Sequence, residues 1–356
     1  MAADSMIDTL WFTRCPAPTA ASVAIRLGWL VDEFAPDGIA VRSLASVNDP
    51  TVHLSHYNHT QANSFRFGGY IPPFTAASRG SDVRILGAAW SDRAAGLYAL
   101  PSSRMRSLAD LKGARLALPR RVKDDTDWWR GLVLAGYRHA LSLAGLGLDD
   151  VELVEIRIER AYVEDASLGG GGQSLWGARS QFAVQREEAL ALLKGEVDVL
   201  YSDAAMGEIL NAFLGLNKFA DLAAPEDEGD TVHGHPLLLT ASGGLIDERP
   251  HLVARWLARL MDAAAWAETN KADAKTIIAQ DTGLPEDFVE AAYSSRIYSQ
   301  LDVSLSPGRV ALVKAKHDHL VEGGFLPAPL DLDRLIDPKP LEAARALHSQ
   351  RGAKAA

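Results

Sequence analysis

Apolar and polar positions along the chain change period repeatedly. Residues 7–12 (IDTLWF) read as a strand, and they run into Arg14-Cys15-Pro16, where the proline holds the residue before it in extended geometry. The spacing of apolar residues over 21–38 (ASVAIRLGWLVDEFAPDG) predicts a helix closed by Pro36 and Gly38, followed by a strand in IAVRSLAS. Cys15 is thereby placed in a strand-to-helix loop, the position at which open α/β sheets bind ligands. Residues 53–73 are polar, rich in histidine and punctuated by Gly and Pro, so they read as a connection leading to the buried strand VRILGAAWS.

The alternation continues. SLADLKGARLAL is a short helix ending at Gly113 and then a strand, WWRGLVLAGYRHALSLAG is the strongest amphipathic helix, and DDVELVEIRI is the strand after it. SQFAVQREEALALLKGEVDVLYSD repeats helix, glycine turn and strand, and PLLLTASGGLI returns as a strand before a helical remainder. The glycine run 169–172 has no Lys-Ser or Lys-Thr after it and reads as a flexible loop rather than a phosphate loop. The tail 341–356 is polar and expected to fray.

These elements predict an α/β fold with two lobes, of the periplasmic-binding-protein-like (type II) kind with a ligand cleft between them. Residues 1–101 and 236–340 would form the first lobe, 102–235 the second, and 341–356 a tail. Both ends of the chain would then build one lobe and the middle the other. A length of 356 residues agrees with two cores rather than one.

Charge narrows the partners. A net charge of −10, with no basic cluster to override it, disfavours nucleic acid and anionic membrane and leaves a small molecule as the expected ligand of an expected monomer. The N-terminal residues lack a basic segment and an apolar run of signal-peptide length, so a cytoplasmic protein is expected. Cys15 is the only cysteine, which leaves it no disulfide and no cysteine-based metal site. Its role, if any, is as a thiol. His53, His56 and His59 recur at three-residue intervals and compete for any catalytic role, but without nearby carboxylates they make no convincing metal site, and no metal is expected.

Five segments, RCPAP at 14–18, TVHL at 51–54, RFGGYIPP at 66–73, GLDDVELV at 147–154 and GEVDVLYS at 195–202, occur in an order and at separations that resemble the aromatic sulfinate desulfinases acting on 2'-hydroxybiphenyl-2-sulfinate in dibenzothiophene desulfurisation. The resemblance implies a solute-binding-protein fold, a cytoplasmic enzyme, and no cofactor. Carried over residue by residue, it places the catalytic cysteine at Cys15, the active-site histidine at His53, the sulfinate-binding arginine at Arg66 and the glycine whose N–H faces the sulfinate at Gly69. The residue types suit these roles. A guanidinium matches two sulfinate oxygens in a plane, and Gly68 with Gly69 allows backbone to approach an anion. Trp129 and Phe182, with Trp128 and Trp176 nearby, are candidates to cover an aromatic ligand.

Two roles for Cys15 stay open. As a general acid the thiol would protonate the ring carbon bearing sulfur; as a nucleophile the thiolate would attack sulfur. Arg14 would favour the second only if its side chain pointed inward, and adjacent residues of an extended segment face opposite ways. An anion already occupying the arginine favours the first. A binding protein for an organic sulfonate is the alternative function; it would have no use for a reactive thiol.

Overall fold

A computed structural model describes residues 7–90, 92–162, 184–223 and 235–355. The expectations placed on Phe182, Trp176 and the 169–172 glycine run lie outside these residues. Contacts divide the chain into two units, one built from 1–91, 235–281 and 298–356, the other from 92–234 and 282–297. The described strands are β1 (Thr9–Arg14), β2 (Ala40–Ser43), β3 (Ser64–Gly69), β4 (Val83–Ala89), β5 (Ala95–Ala99), β6 (Arg115–Arg121), β7 (Glu152–Ile158), β8 (Leu200–Asp203), β9 (Asn217–Asp221) and β10 (Leu237–Ser242).

In the first unit five strands form one sheet in the order β2-β1-β3-β10-β4. β1 lies parallel to β2 and β3, while β10 arrives from late in the chain and pairs antiparallel with both β3 and β4. Because side chains alternate along a strand, the registers sort the residues onto two faces. Phe12 stands opposite Phe65, and the two reach Trp256 of helix Pro250–Thr269. The Phe65 ring stacks on the Trp256 indole with centroids 4.2 Å apart and planes 7° from parallel, and Phe34 stacks on the same indole. Such an aromatic pair contributes about 1 kcal/mol beyond the area it buries. The opposite face carries Thr13, Arg66 and Thr240 in register. The core on one side thus fixes which residues are presented on the other.

Two expectations about the first unit are corrected. Residues 50–58 are a helix rather than part of a connection: Asp49 Oδ1 accepts from the Thr51 N–H at 2.9 Å, and Pro50 occupies the first turn, where its missing N–H is no loss. The helix ends at His59, whose φ of 55° is left-handed. The tail is also helical, over Lys339–Ala355. Leu341 and Ala344 are buried, while His348 and Arg351 reach Asp262 of helix Pro250–Thr269, and Arg351 also reaches Glu33. Burial alone would raise the Glu33 carboxyl, but Arg255, Arg259 and Arg351 together hold it below the usual carboxylate range. Charged residues made this helix look solvated when they bridge it to its neighbours.

In the second unit β6 and β7 pair in parallel, and β5 lies between β8 and β9 in an antiparallel sheet. The Ala117 N–H donates to the Val199 carbonyl at 3.0 Å, joining the segment before β8 to β6. No helix of the described residues is long and apolar enough to cross a membrane.

Candidate active site

Cys15 follows β1 directly, and the strand's alternation decides its surroundings. Arg14 points to the core side, where its Nη2 donates to Asp281 Oδ1 at 2.8 Å; Asp281 also receives Arg26 at 3.0 Å. Arg14 is therefore committed elsewhere and does not face the thiol. Thr13 and Cys15 turn to the other face. The backbone of Cys15 continues the pairing with β3, its N–H donating to the Phe67 carbonyl at 2.9 Å, and the residue is half-buried.

Arg66 projects from the middle of β3 and is 3% exposed. Its Nε donates to the His56 carbonyl at 2.8 Å, its Nη1 to the Gly69 carbonyl at 2.9 Å, and its Nη2 points at Cys15 Sγ at 3.7 Å. No carboxylate among the described residues pairs with it. Burial lowers the basicity of this guanidinium and the neighbouring thiol opposes that shift; an arginine nevertheless keeps its proton. The strand therefore presents a buried cation fixed by two backbone carbonyls, with its remaining edge toward sulfur.

The histidine beside the thiol is His56. Its Nε2 stands 3.7 Å from Cys15 Sγ and its Nδ1 2.8 Å from the Thr13 hydroxyl. His53, assigned this place by the sequence resemblance, instead reaches back along its helix so that its Nε2 donates to the Val47 carbonyl at 2.7 Å. On helix Pro50–Asn58 the two lie three residues apart on one side of the helix, yet they reach different partners. Burial, then the charges of Arg66 and His59, hold His56 well below the usual imidazole range, so it is neutral at neutral pH and serves as a hydrogen-bonding group. His59 lies behind Arg66, with its Nε2 3.2 Å from Thr240 Oγ1, whose hydroxyl donates to the Arg66 carbonyl at 3.3 Å.

His59 is pushed down to about 3, by burial first and the Arg66 charge second. The native state keeps His59 neutral where an unfolded histidine, with its ordinary pKa near 6.5, binds a proton, so stability falls as pH drops below about 6.5 towards 3. Urea denaturation at pH 7 and pH 5 is expected to differ by about 2 kcal/mol from this group alone. His59→Gln, which keeps a donor for Thr240, should remove that part of the slope, and an unchanged slope would contradict the assignment.

Gly68 is required by close approach. A Cβ there would come within 2.3 Å of Cys15 Sγ and 3.2 Å of Arg66 Nη2, so any side chain displaces the thiol or the guanidinium. Gly68→Ala is expected to lower turnover roughly a hundredfold with circular dichroism unchanged, the scale of an ångström-sized misplacement at a reacting centre. Wild-type turnover in that variant would show that sulfur and guanidinium need not meet. Gly69 is different: a Cβ there meets nothing within 4 Å, and its fixed contribution is the carbonyl that anchors Arg66.

Of the expected aromatic lining, Trp129 is placed elsewhere, and Phe182 lies outside the described residues. Trp129 is fully buried inside the second unit, its indole N–H donating to Glu188 Oε1 at 2.9 Å, and it presents no surface to a ligand. Asp203 is buried in the same unit with Arg93 at 2.7 Å. Among the described residues no three His, Cys, Asp or Glu side chains gather as metal ligands would. Thr13 escaped the sequence reading, in which His56 stood as a competitor of His53. The Asp49-Pro50 start signal would have put residues 50–58 on a helix, but nothing local could show that Thr13 meets His56.

No family model matches the chain. It is 28% identical to the 2'-hydroxybiphenyl-2-sulfinate desulfinase of Rhodococcus erythropolis, over 94% of this chain and 93% of the relative. Among solved structures it is similar to a cysteine-to-serine mutant of the desulfurization enzyme DszB in complex with biphenyl-2-sulfinic acid, at 26% identity with a TM-score of 0.78, covering 96% of this chain and 100% of that one. The periplasmic aliphatic sulphonate binding protein SsuA of Escherichia coli shares the fold at 17% identity with a TM-score of 0.64, over 93% and 92% of the two chains. In sequence and in its periplasmic-binding-protein-like fold, the chain is a relative of the 2'-hydroxybiphenyl-2-sulfinate desulfinases along nearly its whole length.

Proposed function

We propose that this protein hydrolyses the carbon–sulfur bond of an aromatic sulfinate, 2'-hydroxybiphenyl-2-sulfinate or a related aryl sulfinate, to the arene and sulfite. The observation that carries the reading is Arg66: a buried guanidinium with no carboxylate partner among the described residues, its free edge directed at the one thiol of the chain. An unpaired buried cation is destabilising by several kcal/mol until an anion arrives, so the site is built for a negatively charged group. A planar guanidinium suits the two oxygens of a sulfinate, and the thiol beside it lies within reach of the atom that bears them.

The chemistry needs a proton on carbon and water on sulfur. When the carbon–sulfur bond breaks, its electron pair stays with the ring carbon, which takes a proton; sulfur leaves as sulfur dioxide and adds water to become bisulfite, returning a proton. Cys15 is the group placed to supply the proton or to attack sulfur. His56, neutral, holds the sulfur atom rather than exchanging charge with it. We place the enzyme in the cytoplasm, acting as a monomer without cofactor.

A binding protein for an organic sulfonate shares this fold, and the likeness to SsuA keeps it as the second reading. Fold does not choose between them, but a thiol against the anion-binding guanidinium does, since binding alone does not require it. Incubating the purified protein with 2'-hydroxybiphenyl-2-sulfinate and with simpler aryl sulfinates should release sulfite and arene in equal amounts. No sulfite from any aryl sulfinate, with a sulfonate still bound at the site, would establish the binding protein instead.

A further inference from the structure

Thr13 has no part in the roles above. It precedes Cys15 by two residues on β1, so both side chains leave the same face, and its hydroxyl oxygen lies 2.8 Å from His56 Nδ1. Among the described residues His56 is the hydroxyl's only hydrogen-bond partner. A hydroxyl carries one proton and needs an acceptor for it, and the lone pair of Nδ1 is the acceptor in reach. A neutral imidazole holds a single ring proton; donation into Nδ1 leaves that proton on Nε2, the nitrogen 3.7 Å from Cys15 Sγ. Arg66 Nη2 already donates toward the same sulfur.

We propose that Thr13 is a positioning residue that holds His56 in the Nε2-protonated tautomer, so that two N–H donors, from His56 and Arg66, converge on Cys15 Sγ. This inference rests on the desulfinase reading. Sulfur carries negative charge at some stage of either route: after the thiol gives its proton to the ring carbon, or before the thiolate attacks the sulfinate sulfur. Donors fixed in advance at the place where charge develops stabilise it without reorganising. Once sulfur has lost its proton, the opposite tautomer would set the Nε2 lone pair against those of sulfur, and it would leave the Thr13 proton without a partner among the described residues.

The test compares wild type with Thr13→Val, which removes the hydroxyl at nearly constant shape, and Thr13→Ser, which keeps it. Two readouts are needed: the ring ¹⁵N shifts of His56, assigned by their loss in His56→Gln, and kcat and KM for sulfite release from biphenyl-2-sulfinate. Wild type and Thr13→Ser should show a protonated Nε2 and an unprotonated Nδ1. Thr13→Val should show a mixed tautomer and lose about tenfold in kcat with KM changed less than about threefold, because the donor to sulfur is present only part of the time. A wild-type His56 protonated on Nδ1 overturns the proposal. So does a Thr13→Val protein with the wild-type tautomer or kcat, or a Thr13→Ser protein no better than Thr13→Val. The tautomer is read without turnover: if wild type releases no sulfite, the desulfinase reading fails while the ring shifts still decide the role of Thr13, and wild type alone decides them if Thr13→Val does not fold.

Discussion

Cys15→Ser is expected to reduce sulfite release by about a thousandfold or more while leaving affinity for an aryl sulfinate within a few-fold of wild type. A serine hydroxyl occupies nearly the same space but is a far weaker acid than a thiol and a far weaker nucleophile than a thiolate, so both routes open to Cys15 fail together. Binding should survive if Arg66 holds the anion as proposed, since the serine removes none of that residue's carbonyl anchors at His56 and Gly69. A thousandfold loss corresponds to about 4 kcal/mol of transition-state stabilisation, well within what one reacting group supplies. Measuring sulfite and arene in single-turnover experiments, beside binding of the sulfinate by calorimetry, separates the two. A serine variant that still turned over at a tenth of the wild-type rate would remove Cys15 from the chemistry and leave it a packing residue.

Which parts of this site could be read in advance follows from the range of the interactions that build it. The β3 segment and its continuation, SFRFGGYIPP, are local: an arginine two residues before a pair of glycines can be identified wherever the chain goes, and the structure finds Gly68 against the thiol for the reason that makes glycine necessary there. The turn of Arg14 away from the thiol follows from strand alternation, and its pairing with Asp281, 267 residues away, agrees with it. The histidine could not be ranked this way. His53, His56 and His59 are equivalent until the segment is known to be helical, after which His53 folds back onto Val47, His59 caps the helix beneath Arg66, and only His56 reaches sulfur. Trp129 shows the opposite limit. An aromatic at the start of an amphipathic helix can face ligand or core, and the partner that settles it, Glu188, lies 59 residues further along the chain.

Arg66→Lys is expected to fail almost as completely as Arg66→Ala, with kcat/KM falling by roughly two orders of magnitude or more in both, equivalent to about 3 kcal/mol. The reason is geometric rather than electrostatic, since lysine keeps the charge. The guanidinium meets three partners that diverge from one plane, with Nε on the His56 carbonyl, Nη1 on the Gly69 carbonyl and Nη2 on Cys15 Sγ. A single ammonium nitrogen cannot span those positions and also present two parallel donors to a sulfinate. Losing the His56 carbonyl anchor frees the helix end that carries the imidazole, so kcat should fall along with the rise in KM, which distinguishes this arginine from a residue that only binds substrate. Added guanidinium ion should restore part of the activity of Arg66→Ala, by refilling the plane between the two carbonyls and sulfur, whereas methylammonium at the same concentration should not. Equal rescue by both ions, or a lysine variant with near wild-type kcat/KM, would mean that Arg66 acts through its charge alone and that the planar match to a sulfinate is not what selects the substrate.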